Sequence, residues 1–313
     1  MKKGPPIRRD HKELIEKRYF PNGRAVFIYN SAFFGEPFSS MRALFREAFH
    51  HNKMALDFKE SAYYASNAIE DLSTIPYTHF IFYDKDVSLA SRLERAGKKV
   101  HNPSSSISIC DSKIETGLRL AENKIATIPF FISPFQFEGS LYNPLEVLSR
   151  PIKEYGFPLI IKEEYGSLGE QVYKALDMED AFSIINKIKP PKRFLVEPYF
   201  ENNGEDHRLY IVGEKVIGAI KRKNDADFRS NVEHGGKGYP YEPSLEEKEL
   251  ALKAHKALGL EFSGVDILFD NNGNPLICEV NSCPHFMGLL KATGIDMAEE
   301  IAEYLLCKNQ ATH

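Results

Sequence analysis

Short apolar runs and helix-period stretches alternate along the chain. "AVFIYN" (25–30), "THFIFYD" (78–84) and the shorter "KKVHN" (98–102) read as strands. Between them, "SSMRALFREAFHH" (39–51) repeats its apolar residues at helical spacing behind a serine cap, and "SLASRLERAG" (88–97) is a helix closed by glycine. Strands alternating with helices in this way predict a small parallel α/β domain.

Further on, "DSKIETGLRLAENK" (111–124) and "MEDAFSIINKI" (178–188) carry the helical pattern. "FPLIIKEE" (157–164) reads as a strand entering the small-residue loop "YGSLGEQ" (165–171), "VYKALD" leaves that loop as another, and "RFLVEPYF" (193–200) is a third. "HRLYIV" and "KVIGAIK" flank Gly213-Glu214, a two-residue hairpin turn. "RKNDADFRSNVEHGGKGYPYEP" (222–243) is polar and long, the kind of loop that is functional or disordered. "SLEEKELALKAHKALG" (244–259) is a helix with a Ser244/Glu247 capping box and a closing Gly259. "GVDILF" (264–269), "DNNG" (270–273) and "NPLICEVNS" (274–282) then form a hairpin, and the end of the chain, around "MAEEIAEYLL", is helical.

At 313 residues the chain is long enough for more than one domain. With 27% charged residues and a formal net charge of −4, neither nucleic acid nor a membrane surface is expected as a partner. The opening "MKKGPPIRRDHKELIEKR" is basic but interleaved with acids, a solvated arm or docking helix. No run reaches the ~20 apolar residues of a membrane span. Cys110, Cys278, Cys283 and Cys307 lack C-x-x-C spacing, so a reduced, cytoplasmic protein is expected, with Cys278 and Cys283 as small core residues.

The hairpin carries the candidate chemistry. With a four-residue turn, Phe269 pairs with Asn274 and Asp266 lies opposite Ile277. Alternation then puts Asp266, Glu279 and Asn281 on one face and Val265, Ile267, Phe269, Leu276, Cys278 and Val280 on the other, a core face. Two carboxylates and an amide are hard ligands suited to Mg2+ held jointly with phosphate. The alternative is a polar face in water.

Several separated motifs now resemble one family. "DSKIET", "PLIIKEEYGSLGEQV", "VEPYFENNGEDHRLYIVG", "IKR…NVEHGG", "GVD" and "EVNSCP" look, in that order, like the ATP-grasp ligases, in particular the RimK-type glutamate ligases, over about residues 110–305. The resemblance implies the ATP-grasp fold, mixed α/β and α+β: a basic arm (1–23), an N-terminal Rossmann-like pre-grasp domain (24–110), and two α+β subdomains (111–195 and 196–313) gripping ATP.

Residue by residue, the resemblance implies that Lys113 and Lys162 contact the nucleotide phosphates and that Gly166, Ser167 and Gly169 form a lid over them. Glu197 and Tyr199 fall at the hinge along the adenine edge, and Asp206 matches the ribose acid, with Glu205 as a rival. Arg208, Arg222 and Asn231 match the positions that handle the acyl phosphate. Strict alternation from the Gly213-Glu214 turn, however, puts Arg208 and Lys221 on one face and Arg222 on the other, unless a bulge turns it. Arg229, His234, Gly235 and Gly236 resemble the substrate-side loop, although His234 reads equally as a surface residue.

The implied activity is ATP-dependent ligation of a carboxylate to an amine through an acyl phosphate, with Mg2+ (Mn2+ as substitute) at Asp266, Glu279 and Asn281. Small amino-acid or peptide substrates are the expected partners, with a homo-oligomer open. The alternatives are a ligase that extends a peptide or protein terminus and a catalytically silent nucleotide-binding regulatory module.

Overall fold

A computed structural model describes residues 20–33, 35–139, 143–167, 169–191, 193–230 and 236–310. The chain divides into two compact units. One holds the residues up to Ser105 and those from Asp296 onward; the other is Ser106–Ile295.

In the first unit the order is β1 (Arg24–Tyr29), α1 (Phe38–His51), β2 (Ala55–Glu60), α2 (Ala62–Ala65), α3 (Ile69–Ser73), β3 (His79–Tyr83), α4 (Val87–Arg95) and β4 (Lys99–His101). The strands form a parallel sheet in the order β2-β1-β3-β4. Central β1 is a continuous apolar run, as a strand covered on both faces requires, and Phe27 packs 4.7 Å from Phe45 and 5.1 Å from Tyr83, ring to ring. Edge strand β2 carries Asp57, Lys59 and Glu60, and its apolar pattern is too weak to mark it in the sequence. The serine cap expected for α1 is absent: Pro37 holds the cap position, and Ser39 and Ser40 sit inside the first turn, where their hydroxyls donate to Glu36.

The second unit contains α5 (Ser104–Asp111, all but its first two residues), α6 (Lys113–Glu122), β5 (Phe131–Ile132), α7 (Pro144–Tyr155), β6 (Leu159–Glu163), β7 (Val172–Ala175), α8 (Met178–Lys187) and β8 (Phe194–Pro198). β9 (Glu205–Val212), β10 (Lys215–Lys223), β11 (Lys237–Pro240), α9 (Leu245–Ala257), β12 (Phe262–Phe269), β13 (Pro275–Asn281) and α10 (Met287–Thr293) follow. The last helix, α11 (Met297–Gln310), packs on α1 in the first unit, whereas the expected boundaries group it with residues 196–313.

Two antiparallel sheets build the second unit, one ordered β5-β8-β6-β7 and the other β11-β10-β9-β12-β13. Leu148, Leu159, Ile161 and Val196 fill the core under the smaller sheet. Leu209, Ile211, Val265, Ile267, Ile277 and Val280 pack against α9 under the larger. The capping box of α9 forms as expected, with Ser244 Oγ accepting from Glu247 N at 3.2 Å and Glu247 Oε2 from Ser244 N at 2.8 Å. The segment read as one loop over 222–243 is partly sheet: β10 runs to Lys223, and β11 pairs with it, Arg222 opposite Gly238.

Two bulges in the larger sheet correct the expected registers. The β9–β10 turn is the two-residue one, with Val212 opposite Lys215, but the register shifts between Val216 and Gly218. The extra residue reverses the alternation beyond it, so Arg222 stands opposite Asp206 and shares the face of Arg208. In the β12–β13 hairpin Phe269 pairs with Pro275, not Asn274. The turn is longer because the Asp270 carboxylate accepts from Asn272 N and Asn274 N and so draws Asn274 into it. A shift between Asp266 and Ile267 then leaves Cys278 as the extra residue. Ile277, rather than Leu276 or Cys278, joins Val280 in the core. Asp266 consequently lies directly opposite Glu279, and Gly264 opposite Asn281.

Candidate functional site

A cleft opens between the two sheets of the second unit. Ile128, Ile160, Val172 and Leu268 give it apolar walls fit for a flat aromatic ring. Lys113 and Lys162 line it as well. Ser112 caps α6 by accepting from Glu115 N at 3.1 Å, which sets Lys113 at the helix start, with its Nζ 3.2 Å from Gly166 O.

Lys162 is buried on β6, and its Nζ pairs with Glu197 Oε2 at 2.6 Å. Ile160 is the cross-strand partner of Glu197, and Lys162 lies two residues on, so alternation aims both charges to one side. Burial opposes the ammonium, but the Cys278 sulfur at 3.8 Å and the Glu197 carboxylate outweigh it, and the Lys162 pKa is raised. The Cys278 thiol is itself pushed up to about 12 by burial, and burial also raises the Glu197 carboxyl against the pull of the Lys162 ammonium. Glu197 is thus a buried partner of Lys162, where the resemblance places it on the adenine edge. Cys278 lines the cleft, where a core position is expected.

On the larger sheet, four charges interlock. Arg208 Nε and NH2 each donate to Asp266 at 2.6 Å. Arg222 NH2 donates to Asp266 Oδ2 at 2.9 Å, and Arg222 grips Asp206 through Nε at 2.7 Å and again through NH2. Burial disfavours the Arg222 guanidinium, but Asp206 and Asp266 outweigh it and raise its pKa. Asp206, matched to the ribose acid, has both oxygens engaged by Arg222; its rival Glu205 pairs with Lys221 at 3.3 Å.

Glu279 lines the same cleft, opposite Asp266 in the strand register. Two residues on, Asn281 Nδ2 is buried with no hydrogen-bond partner among the described residues. A buried amide with an unanswered end is costly unless something binds there, and which end is oxygen is an assignment that a ligand would decide. Among the described residues no three His, Cys, Asp or Glu side chains gather as a metal site. Two carboxylates and one amide, completed by phosphate oxygens, nevertheless fit Mg2+.

The loop after β6 is drawn in tightly. Ser167 N donates to Gln171 Oε1 at 3.1 Å, and a Cβ on Gly166 would lie 2.4 Å from that oxygen, so a larger residue there would have to push the Gln171 side chain aside. Gly169 O accepts from Arg229 NH1 at 2.8 Å. Tyr199 lines the cleft, with Lys174 Nζ 3.6 Å above its ring and its hydroxyl 3.0 Å from Glu201 Oε1. Gly236 directly precedes β11, whereas Asn231, His234 and Gly235 lie outside the described residues. The site thus gathers Lys113, Lys162, Glu197, Tyr199, Asp206, Arg222, Arg229, Asp266 and Glu279 around one cleft. Sequence reasoning missed the partner role of Glu197 and the Asp227 carboxylate that holds Arg229; an acid two residues before an arginine was the one signal for the latter.

Comparison with known proteins bears on the family and the fold. The RimK-like ATP-grasp domain model matches residues 134–305. A Mycoplasma pneumoniae relative, "Uncharacterized protein MG012 homolog", is 32% identical over 262 residues, 82% of this chain and 90% of that protein. "Probable alpha-L-glutamate ligase" of Legionella pneumophila is 41% identical over 153 residues, 48% of this chain and 50% of that protein. Among solved structures, a RimK domain ATP-grasp protein from Sphaerobacter thermophilus superposes with TM-score 0.70 at 19% identity, covering 90% of this chain and 98% of the other. D-alanine–D-alanine ligase from Bacillus anthracis complexed with ATP does so with TM-score 0.68 at 20% identity, covering 93% and 100%. No helix among the described residues is long and apolar enough to cross a membrane. By its motifs, its fold and this match, the chain belongs to the RimK-like ATP-grasp family, ADP-forming ligases that join a carboxylate to an amine.

Proposed function

We propose that this chain activates the carboxylate of a small substrate on ATP and passes the acyl group to an amine, with a glutamate-like amino acid as one of the two substrates. The observation that carries this reading is the opposition, across one cleft, of Lys113 and Lys162 to Asp266 and Glu279. A carboxylate oxygen attacks the γ-phosphorus, the bond to the β–γ bridging oxygen breaks, and ADP leaves. The amine nitrogen then attacks the acyl carbon, phosphate departs, and the nitrogen gives up a proton. Positioning and charge neutralisation carry such chemistry, so no Ser or Cys nucleophile is needed.

Lys113 and Lys162 neutralise phosphate charge from one side of the cleft, and Arg208 and Arg222 stand on the other. Asp266, Glu279 and Asn281 would hold Mg2+, or Mn2+ in its place, which supplies further charge neutralisation when bound. Glutamate is favoured as a substrate by the alpha-L-glutamate ligases, although the match spans half of their length. ATP as co-substrate and four free thiols agree with a cytoplasmic enzyme.

The test is phosphate release from ATP across a panel of amino acids and dipeptides, with mass spectrometry of the products. ADP and phosphate should form in equal amounts, and only when a carboxylate substrate is present. AMP and pyrophosphate as the stoichiometric products would overturn the acyl-phosphate route. Growth of a peptide end, instead of a new small amide, would identify the acceptor as a peptide terminus.

A further inference from the structure

Two cations reach carbonyl oxygens of the β6–β7 loop. Lys113 holds Gly166 O from α6, and Arg229 holds Gly169 O from the segment that follows β10. Lys113 sits where α6 starts, its backbone N donating to Glu164 O at 3.0 Å, while the body of that helix packs on β13 and α9; Arg229 follows β10 of the larger sheet.

Arg229 is aimed by its own turn. The Asp227 carboxylate accepts from Arg229 Nε at 3.1 Å and NH2 at 2.7 Å, and its Oδ1 also accepts from Arg229 N at 2.9 Å. That turn is seated on Gly204: Asn224 N donates to Gly204 O at 2.9 Å, and a Cβ on Gly204 would fall 2.1 Å from Asn224 O. Asp227 compensates the guanidinium charge and fixes its plane, and NH1 points across the cleft at Gly169 O.

We infer that Arg229 is a positioning residue, a latch that ties the β6–β7 loop to the opposite sheet and keeps it over the cleft when Lys113 turns from Gly166 O to the nucleotide phosphates. Only that last step rests on the proposed function; the tie itself is present without nucleotide. The resemblance gives Arg229 a direct substrate contact, and the geometry points to the loop backbone instead.

Amide hydrogen exchange on the full chain tests the latch, comparing wild type with R229Q and R229K, each without ligand and with AMPPNP and Mg2+. Loss of one charge-assisted hydrogen bond should speed exchange of the amides in 165–171 about tenfold in R229Q, with amides elsewhere unchanged. R229K keeps a charge beside Asp227 but loses the fork, so it should fall between the two. In turnover, kcat should fall by about the same factor while KM for ATP moves much less. Exchange over 165–171 that is unchanged in both variants overturns the latch. Failure of AMPPNP to bind the wild type would count against the nucleotide reading instead, while the ligand-free comparison still decides the latch.

Discussion

Arg208 and Asp266 face each other in the β9–β12 register and share two hydrogen bonds of 2.6 Å. Arg222 adds a third at 2.9 Å. Burial would raise the Asp266 pKa, but the two guanidinium groups outweigh it and hold the carboxyl below its usual range. Asp266 is therefore counter-ion to two buried arginines as well as one of the three groups that fit the metal. Asp266→Asn should lower unfolding free energy by about 3 kcal/mol, because it leaves buried positive charge undercompensated. Urea unfolding at neutral pH measures this. A midpoint equal to wild type would mean that the arginines do not depend on Asp266.

Glu279 stands opposite Asp266, but no arginine grips it among the described contacts. Glu279→Gln keeps the shape and removes the charge. Stability should stay within about 0.5 kcal/mol of wild type, while turnover drops by orders of magnitude. ATP binding without metal should change far less than turnover does. Near-normal turnover at limiting Mg2+ would remove Glu279 from the metal site.

Lys162 and Glu197 form a buried pair, so their substitutions should be strongly non-additive. Lys162→Met alone leaves a carboxylate in the cleft wall without its partner and should cost roughly 3–5 kcal/mol. Adding Glu197→Leu to it should recover most of that loss, whereas nucleotide affinity stays low in both variants because the phosphate-side charge is gone. Thermal unfolding paired with nucleotide titration separates the two effects. A double variant as unstable as the sum of the singles would show that the pair is not coupled.

α9 was legible in the sequence from its capping box and closing glycine, β1 from its continuous apolar run, and the hairpin that carries Asp266 and Glu279 from its alternation and turn residues. What alternation cannot display is an extra residue. The bulge before Gly218 turns Arg222 to the face of Arg208, a placement that strand counting alone denies. The Cys278 bulge and the lengthened turn shift the hairpin by two residues at Asp266, which is why Asp266, Glu279 and Asn281 still share a face although the expected register was wrong. A two-residue error preserves sides; a one-residue error would have scattered the ligands. Edge strand β2 and the carboxylate partners of Lys162 and Arg222 depend on tertiary pairing and leave no local signal.

His255 gives the fold a pH dependence that can be checked apart from activity. It is buried on α9, with Nδ1 2.8 Å from Ser263 Oγ. Burial, opposed in part by the Gly213 backbone and the Glu261 charge, lowers its pKa from 6.5 to about 4. Between those values the unfolded chain binds the proton and the folded one does not, so stability falls as pH drops from about 6.5 to about 4 and levels off below. The full change is on the order of 3 kcal/mol. His255→Gln cannot titrate, so its stability relative to wild type should improve by that amount between pH 7 and pH 4. Carboxylates elsewhere titrate alike in both proteins and cancel in the difference. Chemical denaturation at half-unit pH steps would display it, and parallel curves for the two proteins would mean that His255 binds its proton as readily folded as unfolded.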